Sequence, residues 1–158
     1  MKTNQKGIDL IKYYEGTGPT INGLCQPYKC SAGYWTIGYG NRRINPSTPV
    51  GPSTVPVSLT QANTIMMLHI ESMEQDIDSI LTNKNLTSNQ YSALACWVYN
   101  LGIDRLKSST LLKKLNSGDI VGAASEFLKW NKERKNNVLV VSKGLDNRRK
   151  AEQALFLS

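Results

Sequence analysis

Glu15 closes an apolar stretch and is followed at once by Gly16, a residue that readily stops a helix. A carboxylate there faces the negative end of the helix dipole. Breaking a glycosidic bond needs such a carboxyl, because the leaving oxygen must receive a proton. Taken alone the signal is weak, since a terminal glutamate is usually just solvated. Other chemistries are served less well. The sole histidine, His69, lies beside Met66, Ile70 and Met73 on a helical pattern and is expected to be a partly buried structural residue. One histidine and no Gly-x-Ser-x-Gly disfavour a Ser-His-Asp hydrolase. Gly38-Tyr39-Gly40 lacks the third glycine and following helix of a nucleotide loop. Cys25, Cys30 and Cys96 are odd in number and form no Cys-x-x-Cys, so neither a disulfide framework nor a zinc site is expected.

The residues after Glu15 carry more. Tyr28-Lys29-Cys30-Ser31-Ala32-Gly33-Tyr34-Trp35-Thr36-Ile37-Gly38-Tyr39-Gly40 resembles the active-site hairpin of the phage-type lysozymes, or endolysins, in their cysteine-bearing branch. In that family a helix ends in Glu-Gly, and an Asp or Cys precedes a Thr in Thr-Ile-Gly-Tyr-Gly. Here those positions are Glu15-Gly16, Cys30 and Thr36. The second half resembles the same family independently. Leu86-Thr87-Ser88-Asn89-Gln90, Tyr99-Asn100-Leu101-Gly102, Phe127-Leu128-Lys129-Trp130 and Gly144-Leu145-Asp146-Asn147-Arg148-Arg149 with Glu152 follow in family order.

The resemblance covers nearly the whole chain and implies a peptidoglycan hydrolase. Such a muramidase cuts the β-1,4 bond between N-acetylmuramic acid and N-acetylglucosamine and causes bacterial lysis. By resemblance Glu15 is the general acid, Cys30 assists attack at the anomeric carbon, and Thr36 holds the attacking water or the substrate. Arg148 matches the position that pairs with the catalytic glutamate and ties the two lobes together. A surface cation is its alternative, and a one-residue slip would put Arg149 in its place. Tyr39 and Asn100 either line the cleft or serve packing (Tyr39) and capping or a buried hydrogen bond (Asn100).

Three departures from the family stand out. The segment from Glu15 to Cys30 is longer than usual, so residues near Thr17 to Asn22 must loop out. Gly40 is followed by Asn41-Arg42 rather than His-Thr. A long connector, residues 45–56, holds Pro46, Pro49, Pro52 and Pro56. Cys30 also poses a chemical question, because a neutral thiol is a poor base whereas a thiolate is a strong nucleophile bearing a carboxylate's charge. Cys25 is read as a small buried residue, with a regulatory Cys25–Cys30 disulfide as the alternative.

The elements that must position these groups are legible as a pattern. Residues 4–14 read as a helix capped by Thr3 or Asn4, with Ile8, Ile11 and Tyr14 on one face. Residues 17–33 read as loop or hairpin, and 34–39 as strand with a bend at Gly38 and Gly40. The longest helical pattern spans 60–81, with Ala62, Met66, Ile70, Met73, Ile77 and Leu81 inward and Glu71, Glu74, Gln75 and Asp78 opposite. Helices are expected over 88–101, 107–115, 118–130 and 145–157, with a basic separator at 131–143. The pattern gives an α+β, mainly helical class, and the resemblance implies a lysozyme-like two-lobed fold, one domain over 1–158. Residues 15–57 form the small β-containing lobe, 58–82 the linking helix and 83–158 the helical lobe, with 1–14 packed against it.

Composition sets the remaining bounds. With 158 residues, 40% hydrophobic and 20% charged, the chain is globular. Its net charge of +7 favours an anionic partner. Asp9 and Lys12 interrupt any signal-peptide core, so no cleavable signal or anchor is expected. The resemblance implies bacterial peptidoglycan as the partner, reached from the cytoplasm through a holin-type pore by a monomer without metal, cofactor or stable membrane insertion. Two rival readings are a catalytically dead wall-binding module and a nucleic-acid-binding protein using Lys129, Lys132, Arg134 and Lys135. The intact Glu15, Thr36 and Arg148 argue against the first, and the second leaves the hairpin unexplained.

Overall fold

Helices set the frame of the computed structural model, which describes residues 1–158. Asn4 caps α1 (Gln5–Glu15): its Oδ1 accepts from the Gly7 N–H at 3.1 Å. The long helix α2 (Leu59–Ile80) buries Ala62, Met66, Ile70, Met73 and Ile77 along one stripe. Its start is fixed reciprocally, since Gln61 N donates to Ser58 Oγ and Ser58 N donates to Gln61 Oε1. Glu74 departs from the polar face expected for it. It is buried, because its carboxylate accepts from Thr3 N at 2.6 Å and pairs with Lys2 Nζ at 2.9 Å.

The chain divides into two units, Met1–Leu10 with Met73–Ser158, and Ile11–Ser72. The first is helical. Its core is built on α3 (Ser88–Leu101), buried from Tyr91 to Val98 and opened by a Thr87–Gln90 capping box. The helix expected over 107–115 starts at Thr110, and a short helix that was not expected precedes it. α4 (Ile103–Lys107) stops at Ser108, and Ser109 restarts the chain as α5 (Thr110–Ser117) by accepting from Leu112 N at 3.0 Å. A serine is a better cap than helix interior residue, which accounts for the break. α6 (Ile120–Phe127) ends before Trp130, whose ring meets Trp97 edge-on at 5.0 Å. α7 (Lys143–Phe156) closes the unit.

The second unit carries the strands. β1 (Thr20–Ile21) pairs with β2 (Leu24–Cys25) across Asn22-Gly23, both in left-handed backbone (φ 50° and 76°), and β2 pairs with β7 (Val57–Ser58). The extra segment near 17–22 is thus tied into a sheet through a two-residue hairpin. β3 (Tyr28–Lys29) pairs with β4 (Trp35–Thr36). Two segments in which no strand was expected are hairpins. The proline-rich connector opens with β5 (Arg43–Asn45) against β6 (Thr48–Pro49). In the helical unit, the basic separator forms β8 (Lys132–Lys135) and β9 (Val138–Val141) across Asn136-Asn137 at φ 48° and 63°. Asparagine tolerates this backbone, so the pair is the turn signal in an otherwise cationic run.

Gly7 gives a test of helix packing. A Cβ there would lie 2.8 Å from both Ser92 Cβ and Thr3 Cγ2. Gly7→Ala should therefore destabilise the protein by about 1–3 kcal/mol, although alanine raises helix propensity. A thermal melt reads the sign, and a raised Tm would refute the close packing.

Candidate active site

The site is assembled from the end of α1 and the β3–β4 hairpin, all within residues 11–72. Gly16 ends α1 by donating its N–H to Lys12 O at 3.0 Å. In the hairpin Tyr28 faces Thr36 and Lys29 faces Trp35. Beyond them Cys30 N donates to Tyr34 O at 2.9 Å, and Gly33 N returns to Cys30 O at 2.8 Å. After β4 the chain reverses through a bridge between Ile37 and Asn41, with two backbone hydrogen bonds of 2.9 and 3.1 Å. Gly38 and Gly40 take left-handed backbone inside it (φ 55° and 75°). A side chain at Gly38 would collide with a helix, and one at Gly40 would oblige the Glu15 carboxylate to move. A Cβ on Gly38 would lie 2.8 Å from Ala62 Cβ, and one on Gly40 would lie 2.9 Å from Glu15 Oε2. The backbone at Gly40 therefore rests directly against the Glu15 carboxylate.

Glu15 is half-buried. Thr36 is 3% exposed, and its hydroxyl donates to Tyr28 O at 3.1 Å. Its oxygen is left with acceptor capacity. Cys30 is half-buried and all three cysteines are free thiols. Burial alone would raise the Cys30 thiol, but hydrogen bonds from the backbone at Tyr34 and Ala32, joined by the Arg42 cation, outweigh it and hold it below the usual cysteine value. Cys25 is buried, as its reading as a small core residue requires. Tyr39 is also buried, with Lys12 Nζ 5.8 Å from its ring centre, and burial followed by the nearby Cys25 raises its hydroxyl.

The remaining candidates lie in the helical unit. Arg148 is buried, its Nε donating to Glu152 Oε1 at 3.2 Å and its Nη2 to Cys96 O at 3.5 Å. Arg149 is fully buried and donates from Nη2 both to Glu152 Oε1 at 2.8 Å and to Asn100 Oδ1 at 3.0 Å. Asn100 is thus engaged in a part-buried hydrogen bond. Burial pushes the Glu152 carboxyl up to about 7, against the pull of Arg149 and then Arg148. Neither arginine is a surface cation. His69, expected to be partly buried, is exposed, because it falls beside rather than within the apolar stripe of α2. Two residues escaped sequence reasoning. Gly40 was legible only as a bend, and its contact with Glu15 depends on the tertiary fold. Arg42, noticed as a departure from the family, stacks with its guanidinium carbon 3.8 Å from the Tyr34 ring centre.

Comparison with known proteins finds a match to the family described as phage lysozyme over residues 20–152, a span that begins after Glu15. The endolysin of Acyrthosiphon pisum secondary endosymbiont phage 1 is 37% identical over 165 aligned residues, covering 100% of this chain and 99% of that protein. Among solved structures, the endolysin of Escherichia coli O157:H7 phage FAHEc1 superposes with a TM-score of 0.85 at 32% identity, over 99% of this chain and 94% of that one. A mutant of P22 lysozyme gives 0.79 at 30% identity, over 100% and 99%.

The Arg149–Glu152 pair sets a stability prediction. Glu152→Ala takes the carboxylate from two buried guanidiniums, Arg149 and Arg148, and should destabilise by about 3–5 kcal/mol. Replacing both, as Arg149→Met with Glu152→Leu, should be less damaging than Glu152→Ala alone. Denaturant unfolding of the two variants decides, and the opposite ranking would show that the pair is not what Arg149 needs.

Proposed function

The chain belongs to the phage lysozyme family, and we propose from that premise how its own residues carry out the reaction. It hydrolyses bacterial peptidoglycan and thereby lyses the cell. The bond we assign is the β-1,4 link between N-acetylmuramic acid and N-acetylglucosamine. Glu15 gives its proton to the leaving oxygen of that bond. The contact of its carboxylate with the Gly40 backbone carries this assignment, because it ties the acid to the hairpin bearing Cys30 and Thr36.

Positive charge develops at the anomeric carbon as the bond breaks. A sulfur held toward its anionic form at Cys30 opposes that charge from the hairpin, as a carboxylate does in other members. Thr36 has its proton committed to Tyr28 O, so its oxygen accepts from an incoming water and orients that water's lone pair toward carbon. Within the helical unit Glu152 fixes the Nε of Arg148, and Asn100 accepts from Arg149. Tyr39 serves as a wall behind the hairpin. The net charge of +7 draws the enzyme to an anionic wall.

Delivery completes the reading. No helix is long and apolar enough to cross a membrane. The enzyme reaches its substrate through a pore opened by a holin-type partner and works as a monomer.

Glu15→Gln retains the shape of the side chain and removes the titrating proton. Lysis of purified walls should fall about 10²–10⁴-fold while the thermal melt stays close to wild type. Mass spectrometry of the wild-type digest should show new reducing ends at muramic acid. Near-normal lysis by the variant would remove Glu15 as the acid, and released peptides would identify an amidase instead.

A further inference from the structure

Arg42 has no part in the roles above, yet its place is fixed from both sides. Its carbonyl accepts from Val50 N at 2.9 Å, and the residue before it, Asn41, is buried and bridged to Ile37. Its guanidinium stacks on the exposed ring of Tyr34, 3.8 Å from the ring centre, well within cation–π range. Tyr34 stands across the turn from Cys30, joined to it by the Cys30 N–H bond to its carbonyl. Stacking therefore parks a cation over the residue opposite the sulfur. Arg42 is the charged side chain that acts on that sulfur, and it is not already neutralised by a carboxylate. The other hairpin cation, Lys29, is turned to the Trp35 ring at 5.7 Å.

We propose that Arg42 is a positioning residue for Cys30, its guanidinium held by the Tyr34 ring as the counter-charge of the sulfur. This rests on the reading of Cys30 as the group that acts opposite Glu15. A guanidinium suits the task because it stays charged at any working pH and stacks flat, which an ammonium does not. The arrangement answers the problem of a cysteine where the family often has Asp. A carboxylate is ionised near neutrality without help, whereas a thiol needs hydrogen bonds or a nearby cation, and Arg42 adds its charge to the Tyr34 and Ala32 backbone bonds.

The test reads the sulfur directly. The intact protein is alkylated with iodoacetamide across a pH series, and the Cys30 adduct is quantified by peptide mass spectrometry. Cys25 and Cys96, both 1% exposed, serve as slow internal references. Arg42→Gln should move the midpoint of Cys30 reactivity to higher pH and slow alkylation at pH 7 by about three- to ten-fold. Arg42→Lys should fall between the two, and thermal melts check that both variants are folded. Wall lysis should slow in Arg42→Gln but change much less when the same substitution is made in Cys30→Asp. An unchanged midpoint in Arg42→Gln overturns the proposal whatever happens to lysis. A moved midpoint with unaltered lysis upholds the action of Arg42 on the sulfur and removes Cys30 from the reaction.

Discussion

The site depends on how closely the backbone at residue 40 can approach the end of α1. A side chain at that position would put its first carbon 2.9 Å from Glu15 Oε2, inside contact distance. The left-handed φ of 75° adds a second barrier to any residue but glycine. Gly38 imposes the matching constraint on the other side of the turn, where only the absence of a Cβ lets the strip lie on Ala62 of α2. These two glycines bring the reversal after β4 against two helices at once. The Glu15 carboxylate, the sulfur at Cys30 and the hydroxyl at Thr36 are related to one another through that turn.

Charge is handled differently in the two units. In the helical unit Arg149 and Glu152 are buried and meet directly, so the unit holds them by desolvated pairing in which neither can be removed alone. In the strand-bearing unit the cations near the hairpin are held by aromatic faces: Arg42 on Tyr34, Lys29 on Trp35, Lys12 near Tyr39. An aromatic face fixes a cation without neutralising it. Positive charge therefore stays available beside the hairpin that carries Cys30 and Thr36.

Much of this was legible in the sequence. The α2 stripe follows from apolar residues at three- and four-residue steps, and the hairpin from a run of residues too specific to arise from strand propensity alone. What escaped detection has local causes. The hairpin over Lys132–Val141 hid because its turn is Asn136-Asn137 rather than an Asn-Gly pair, in a run that reads first as charge. The break at Ser108–Ser109 hid because serine fits a helix interior weakly and a cap well, and periodicity does not separate the two. Glu74 looked like a solvated face residue until the N-terminal arm supplied the Thr3 amide and the Lys2 ammonium that satisfy it. Contacts between segments far apart in the chain, such as Gly40 with Glu15, leave no periodic trace.

The claim that the turn at Gly40 exists to seat the acid can be tested by a double-mutant cycle on wall lysis. The four proteins are wild type, Gly40→Ala, Glu15→Gln and the double variant, each checked for folding by its thermal melt. If the glycine acts through Glu15, Gly40→Ala should slow lysis strongly when Glu15 is present and add almost nothing once Glu15 is Gln. An equal further loss in both backgrounds would contradict the account and make Gly40 a residue of the fold alone.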